Sequence, residues 1–384
     1  MSSPLLIGVL GPFGPAQLAC LRSWRRAGYR TAFFQLGGRR VPARLRGLAD
    51  AYHFYPATMP MEEILRQVSG ECARGEVAGL TTLSEALALK LHEQHRDGRF
   101  ATTALLLNSP EVYGALESKV FQADLATRAG LPLMPTFVLD TRSERLDAPG
   151  PLVLRPDVAR TVRPAFKVKL VDNAEQAVAI ARALTAPEGK LVVQPFVAGP
   201  NLIIHAARAR DGSWDHHEAF YTEIKSGGLA VALRPYPLPA GLLDACRRFE
   251  QAVGLRGVFH YDFILDETSG EAYFLEVNPR LGGTTGKVYA AGYDEPAMLA
   301  AAWLHTGAHR VELDGPRLPS ISRIAAVRYA LALLRHAPSR LDHPPRRDGR
   351  AFGGLAKALL LHRDEVFRLT DVVGNSAYLL QTRS

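Results

Sequence analysis

Gly257 to Lys287 reads GVFHYDFILDETSGEAYFLEVNPRLGGTTGK, and the rest of the chain makes sense around it. Val258 to Leu265 and Glu271 to Asn278 are rich in β-branched and aromatic residues. Asp266 to Gly270 is a turn cluster of hairpin length, so the stretch predicts two antiparallel strands followed by a glycine-rich loop. Pairing Leu265 with Glu271 sets Asp262 opposite Phe274, and the two-residue period of a strand puts Asp262, Glu276 and Asn278 on one face. Phe259, Tyr261, Phe263, Tyr273, Leu275 and Val277 then share the other face as a core. A slip of one residue would separate Asp262 from the other two. Two carboxylates and an amide oxygen are hard ligands of the kind Mg²⁺ accepts, its remaining positions going to water and phosphate oxygens. The loop offers what a phosphate wants. Arg280 is a bidentate donor, Gly282, Gly283 and Gly286 let backbone N–H groups approach closely, and Lys287 adds charge. For the two acids alone, an acidic hairpin face in water is an equal alternative; the attached Asn-Pro-Arg and Gly-Gly weigh against it.

The chain has 384 residues, which suggests two or three domains, and with 47% apolar and 22% charged residues it reads as a water-soluble globular protein. Cys20, Cys72 and Cys246 are odd in number and far apart, so no disulfide framework or zinc spacing is present and a reducing cytoplasm is expected. The opening apolar run is broken by Gly8, Gly11 and Pro12, which argues against a signal peptide. Ile321 to Ala337 carries Arg323, Arg328 and Arg335, so it predicts an amphipathic helix and no membrane span. The formal charge of +8 raises nucleic-acid binding. Its clusters at Arg22, Arg25 and Arg26, at Arg39 and Arg40, and at Arg346 and Arg347 are scattered and not interleaved with aromatics, so they read as solvated faces and no nucleic acid is expected.

The chain opens as βαβ: strand Leu5 to Leu10, helix Pro15 to Ala27, strand Tyr29 to Gln35. The turn glycines Gly8, Gly11 and Gly14 have the spacing GxxGxxG, not the dinucleotide GxGxxG, and Gln35 stands where an acid would close the second strand. Ser109-Pro-Glu is a capped helix start. Asp211-Gly212 joins two alternating strands, Asn201 to Arg210 and Ser213 to Tyr221. Glu223 to Gly228 predicts a loop able to cover a site with Lys225. His205, His216 and His217 lack the spacing of a metal pair and read as satisfied or solvated. Pro338 to Arg350 predicts a mobile connector, and Ala351 to Ser384 a short helix and a loop without chemistry.

DFIL, a turn and then YFLEVNPRLGG resemble the metal-binding core of the ATP-grasp superfamily, in the pattern of its carbamoyl-phosphate-synthetase-like members. The resemblance implies an α/β chain, α+β in its core. A Rossmann-like N-terminal domain over 1–108 precedes a small lobe with a lid over 109–195, a metal-binding lobe over 196–310 and a C-terminal helical extension over 311–384. It implies that Asp262, Glu276 and Asn278 hold one or two Mg²⁺ ions, with Mn²⁺ an acceptable substitute, against ATP phosphates. Arg280 then faces the reacting phosphoryl or acyl group. ESKVFQADLATRAGLPLMPTF resembles the segment whose lysine, here Lys119, touches phosphates. PLVLRP ends on Arg155 where the family has lysine, which keeps charge but changes its shape. The family's glycine-rich lid is replaced by DVARTVRPAFK, which has no glycine; either Arg160, Arg163, Lys167 and Lys169 cover the phosphates with side-chain charge or the segment is a mobile basic loop. Among these, Lys167 is assigned to both ATP binding and catalysis. LVVQPFV resembles the adenine hinge, giving Gln194, Phe196 and Val197 as ATP-binding residues, with Gln194 where an acid is usual. Gly282, Gly283, Thr284 and Lys287 are assigned to the substrate loop.

The implied activity is a ligase that activates a carboxylate as an acyl phosphate, releases ADP and forms an amide with an amine. The alternatives are an ATP-binding protein of altered catalysis and a phosphorylation without amide formation. Small-molecule carboxylate and amine partners are implied, with a homodimer left open.

Overall fold

The computed structural model describes residues 4–186, 188–305, 311, 313, 315–335, 339–344 and 349–381. The chain begins Leu6–Gly11 (β1), Pro15–Arg26 (α1), Arg30–Leu36 (β2), Ala51–Tyr55 (β3), Met61–Arg74 (α2), Val77–Thr82 (β4), Glu85–Arg96 (α3) and Ala104–Leu105 (β5). These strands form a parallel sheet in the order β3-β2-β1-β4-β5. The continuous apolar runs of β1 and β2 are what a sheet covered on both faces requires. A linker pair, Pro110–Glu117 (α4) and Lys119–Ala129 (α5), follows. Ser109 and Ser118 cap them by accepting from Val112 N and Phe121 N, and Gly130 ends α5 at φ +77°, a conformation glycine adopts without strain.

Phe137–Leu139 (β6), Leu152–Pro156 (β7), Lys169–Val171 (β8), Ala174–Arg182 (α6) and Leu191–Pro195 (β9) make a four-stranded sheet of order β6-β9-β7-β8 with its own core around Leu154, Val178 and Val193. The larger sheet follows. It is built from Asn201–Arg208 (β10), Asp215–Ser226 (β11), Leu229–Tyr236 (β12), the helix Ala240–Val253 (α7), Gly257–Leu265 (β13) and Ala272–Asn278 (β14). Thr285–Ala291 (α8) and Glu295–Leu304 (α9) leave it. One face packs on α5 and α7 through Phe249, Phe259, Tyr261, Phe263 and Phe274, and the other shares a core with the first unit through Trp24, Phe33, Phe220 and Val288. Each such side chain contributes about 1.5–3 kcal/mol on burial, so the first unit is anchored to the larger sheet.

The C-terminal stretch departs from the expected helical extension. Ser320–Ile321 (β15), Arg323–Leu334 (α10), Gly349–Leu361 (α11), Arg363–Asp364 (β16) and Val372–Gln381 (α12) include two strands that extend the larger sheet to β14-β13-β10-β11-β12-β15-β16. The 338–350 connector is not free over its described part. His343 pairs with the backbone of Lys225, Asp342 accepts from Gly227 N, and Arg340 pairs with Asp172 at 2.8 Å and stacks 5.2 Å from the Phe196 ring. Arg346 and Arg347 lie outside the described residues. The three cysteines are free and buried, and no helix among the described residues is long and apolar enough to cross a membrane.

Candidate active site

The hairpin forms, but in a register one step from the expected one. Leu265 faces Ala272 and Phe263 faces Phe274, whereas Asp262 faces Glu276 and His260 faces Asn278; a bulge at Leu275 separates the two halves. The bulge repairs the slip. It turns Phe274 into the core, leaves Tyr273 and Leu275 half-buried outside it, and returns Asp262, Glu276 and Asn278 to one face. Its cause is tertiary: β14 is an edge strand, and its outward groups have fixed partners. Phe274 N donates to Pro132 O, Val277 N donates to Gln122 Oε1, and Leu275 O accepts from Arg155 Nη1. Those outward N–H groups lie three residues apart, which a regular strand cannot provide.

Burial and the neighbouring Glu276 charge push the Asp262 carboxyl up to about 7. Burial also pushes Glu276 up, but Lys119, whose Nζ lies 3.5 Å from Glu276 Oε2, and Arg155 at 4.0 Å outweigh it and hold it below the usual range. One deep carboxylate pair therefore carries unlike protonation tendencies, which a divalent cation between them would relieve. Asn278 donates to Asp262 at 3.2 Å and accepts from Arg280 at 3.3 Å; offering Oδ1 to a cation requires the amide to turn over. Among the described residues no trio of His, Cys, Asp or Glu is gathered, so the donor set is two carboxylates and an amide, which suits a hard cation that keeps water and phosphate ligands.

A cleft of about 860 Å³ opens over this face, a volume suited to a nucleotide-sized ligand. Lys119, Arg155, Lys167, Asp262, Glu276, Arg280, Gly283, Thr284 and Lys287 all line it. The hinge residues do not. Gln194 is buried, accepts from Arg155 Nη2 at 2.8 Å and donates to Thr136, so both ends of its amide already have a partner. Phe196 and Val197 stand outside the lining, Phe196 under Arg340. Of the basic residues expected in the lid, Arg160 pairs with Glu117, Arg163 donates to Val162 O, and Lys169 sits 4.8 Å from the Phe166 ring. Only Lys167 of the four lines the cleft.

The glycine loop is also divided. Gly282 N donates to Thr285 Oγ1, and a Cβ on Gly282 would stand 2.4 Å from the His260 ring, so that glycine serves a close approach. Gly286 packs on Pro15 of α1. Gly283 alone of the three faces open space. Beneath the loop, Glu295 accepts from Thr285 Oγ1 and pairs with His205, whose Nε2 meets Thr284 Oγ1 at 3.1 Å; His217 pairs with Glu250, so both histidines are satisfied, as expected. Lys225 departs from the expected covering loop. It ends strand β11 inside the protein, donates to Gly199 O and Asn201 Oδ1, and burial lowers its pKa to about 8. Lys287 pairs at 3.1 Å with Glu365, giving the C-terminal stretch a part in the cleft wall. Arg280 pairs with Glu85 of α3 at 3.0 Å.

Three residues at this site were not singled out from the sequence. His260 shares the Asp262 face by simple alternation and lies 3.8 Å from its carboxylate, so the signal was present. Burial, His205 and Arg280 hold its pKa well below the usual range, and it stands as a neutral support. Glu85 and Glu365 are remote in sequence from their partners and left no local signal.

No family model matches the chain. The carbamoyl phosphate synthase large chain of Thermomicrobium roseum is 25% identical over 339 residues, 82% of this chain but 30% of that one, so the chain spans under a third of that relative. An L-amino acid ligase from Bacillus licheniformis superposes with a TM-score of 0.61 at 16% identity, over 83% of this chain and 80% of the other. The biotin carboxylase domain of Hydrogenobacter thermophilus 2-oxoglutarate carboxylase, whose structure contains MgADP, ADP and bicarbonate, gives a TM-score of 0.61 at 15% identity over 81% and 73%.

Proposed function

Because this chain belongs by its fold to the ATP-grasp superfamily, we propose that it is an ATP-dependent ligase that activates a substrate carboxylate as an acyl phosphate, releases ADP and couples the acyl group to an amine. One observation carries the reading: Asp262 stands directly opposite Glu276 in a cleft that Lys119, Arg155, Lys167 and Arg280 also line. Phosphoryl transfer asks a protein for positioning and charge neutralisation more than for a nucleophilic side chain, and this cleft offers that.

Asp262, Glu276 and Asn278 would hold the Mg²⁺, or Mn²⁺ in its place. When bound, that cation would neutralise charge on the triphosphate oxygens. Lys119 and Lys167 hold the phosphates from the small-lobe side, and Arg155 fixes β7 against the edge strand through Leu275 O. The carboxylate oxygen attacks the γ-phosphorus as its bond to the β-bridging oxygen breaks, and ADP leaves. The amine nitrogen then attacks the acyl carbon and phosphate departs, with a proton lost from nitrogen. Arg280 stabilises the charge that gathers on the acyl and phosphoryl oxygens. A cytoplasmic setting accompanies this reading, with a homodimer left open.

Screening ADP release across carboxylic acids, each with and without a panel of amines, tests the proposal; a folded protein that releases no ADP with any pair would defeat it. The glycine-free lid and the commitment of Gln194 to Arg155 favour a second reading, an ATP-binding protein of altered catalysis or one that phosphorylates without forming an amide. Mass spectrometry of the product separates these. With an active pair in hand, Lys119→Ala is expected to raise the KM for ATP about tenfold with kcat little changed; an unchanged KM removes Lys119 from the phosphate site.

A further inference from the structure

The sequence scatters its arginines, but the fold gathers several of them in a cavity separate from the catalytic cleft. Between the C-terminal end of α1, one side of α8 and residues 362–375 lies a second cavity of about 810 Å³, lined by Arg26, Arg323, Arg363, Arg368, His362 and Tyr289, among others. A smaller cavity of about 370 Å³ shares Arg26, Tyr289 and Arg368 with it and adds Arg22 and Arg25. The Tyr289 ring is the shared wall, with the Arg368 guanidinium 4.4 Å and the Arg26 guanidinium 5.5 Å from its centre. Two of these arginines already have carboxylate partners: Arg22 with Asp371 and Arg26 with Asp294. Among the described residues Arg363 and Arg368 have none within ion-pair distance. Arg323 is only 3.9 Å from Asp364, the one carboxylate lining the larger cavity, which accepts from the backbone N–H groups of Arg323, Val366 and Phe367. His362 is more than nine-tenths buried in the same wall, and its Nδ1 has no hydrogen-bond partner among the described residues.

We propose that this cavity binds a small polyanion carrying at least two phosphate groups, held by the guanidinium forks of Arg363, Arg368 and Arg323. Planar forks accept oxyanions bidentately, and three of them around one concavity set a multivalent geometry that a solvated face does not need. The site does not depend on the ligase reading, since binding is read without turnover.

Calorimetric titration of the full chain with inorganic pyrophosphate in EDTA tests it, at 150 mM salt to suppress diffuse attraction. The catalytic cleft has cations of its own, so two events are expected in the wild type. Lys119→Ala/Arg155→Ala should remove one. Arg363→Ala/Arg368→Ala should weaken the other at least thirtyfold, and the milder Arg363→Lys/Arg368→Lys, which keeps the charge and disturbs packing least, should weaken it about tenfold. Pyrophosphate binding unchanged in the alanine variant, with its far-ultraviolet spectrum and melting curve intact, overturns the site. So does full binding by the lysine variant, which would reduce the cavity to unspecific charge, and so does a second copy of the chain occupying this face in sedimentation with pyrophosphate excluded.

Discussion

Asp262→Asn and Glu276→Gln are each expected to lower ADP release at least about a thousandfold, yet to move the stability of the metal-free protein in opposite directions. The Asp262 carboxyl, pushed up to about 7, is more readily protonated folded than unfolded. Between about pH 4 and pH 7 the native state therefore holds the extra proton, and stability falls as pH rises through that window. Above pH 7 the penalty is complete, at most about 4 kcal/mol for a shift of this size. Asp262→Asn removes it, so this variant should melt a few degrees higher than the wild type at pH 8 and no higher at pH 4. Glu276 is the reverse case: held below its ordinary range despite burial, it balances Lys119 and Arg155, and its neutralisation leaves two cations without their shared counter-charge. Glu276→Gln should melt lower at every pH above about 4. Added Mg²⁺ should raise the wild-type melting temperature at pH 8 and leave both variants where they were. Equal Mg²⁺ stabilisation in the three proteins would remove the cation from this hairpin.

The gain and loss in that pair follow from a detail the sequence concealed. Alternation along Val258 to Leu265 and Glu271 to Asn278 was enough to place the three oxygen-bearing side chains on one face, because a period of two survives any even shift. The pairing itself depends on where the outer edge of β14 finds its partners, and those are Pro132, Gln122 and Arg155, more than a hundred residues upstream. The bulge that sets Asp262 against Glu276 is written in α5 and β7. The same holds for charge. Lys119 and Arg280 both line the cleft, but Glu85 and Glu365, which pair with Arg280 and Lys287, come from a helix beside the first sheet and from the C-terminal stretch, where no local pattern marks them. Gln194 owes its partner to the substitution at 155: the arginine is long enough for its fork to reach the amide oxygen.

Arg280→Ala is expected to lower kcat by about a hundred- to a thousandfold, the range for removing one preorganised donor from a developing anion, while leaving the Mg·ATP melting shift unchanged. The residue lines the cleft beside Gly283 and is held by Glu85 at 3.0 Å and Leu281 O at 3.1 Å, with Asn278 Oδ1 at 3.3 Å as a third partner until a cation takes that oxygen. Its buried Nε has no partner among the described residues, so the guanidinium is fixed in place with donor capacity to spare. Such rigidity suits a group that must meet charge only as it forms, since no reorganisation is then needed. Arg280→Lys keeps the charge but loses the fork, and should recover no more than about a tenth of the lost rate. Glu85→Gln tests the anchor separately: Arg280 remains, its orientation loosens, and kcat should fall several-fold at constant KM for ATP. If Arg280→Ala instead raised the KM for ATP and left kcat alone, the guanidinium would be a ground-state phosphate ligand and the acyl-transfer role would pass to Lys167 or Lys287, two further cations that line the cleft.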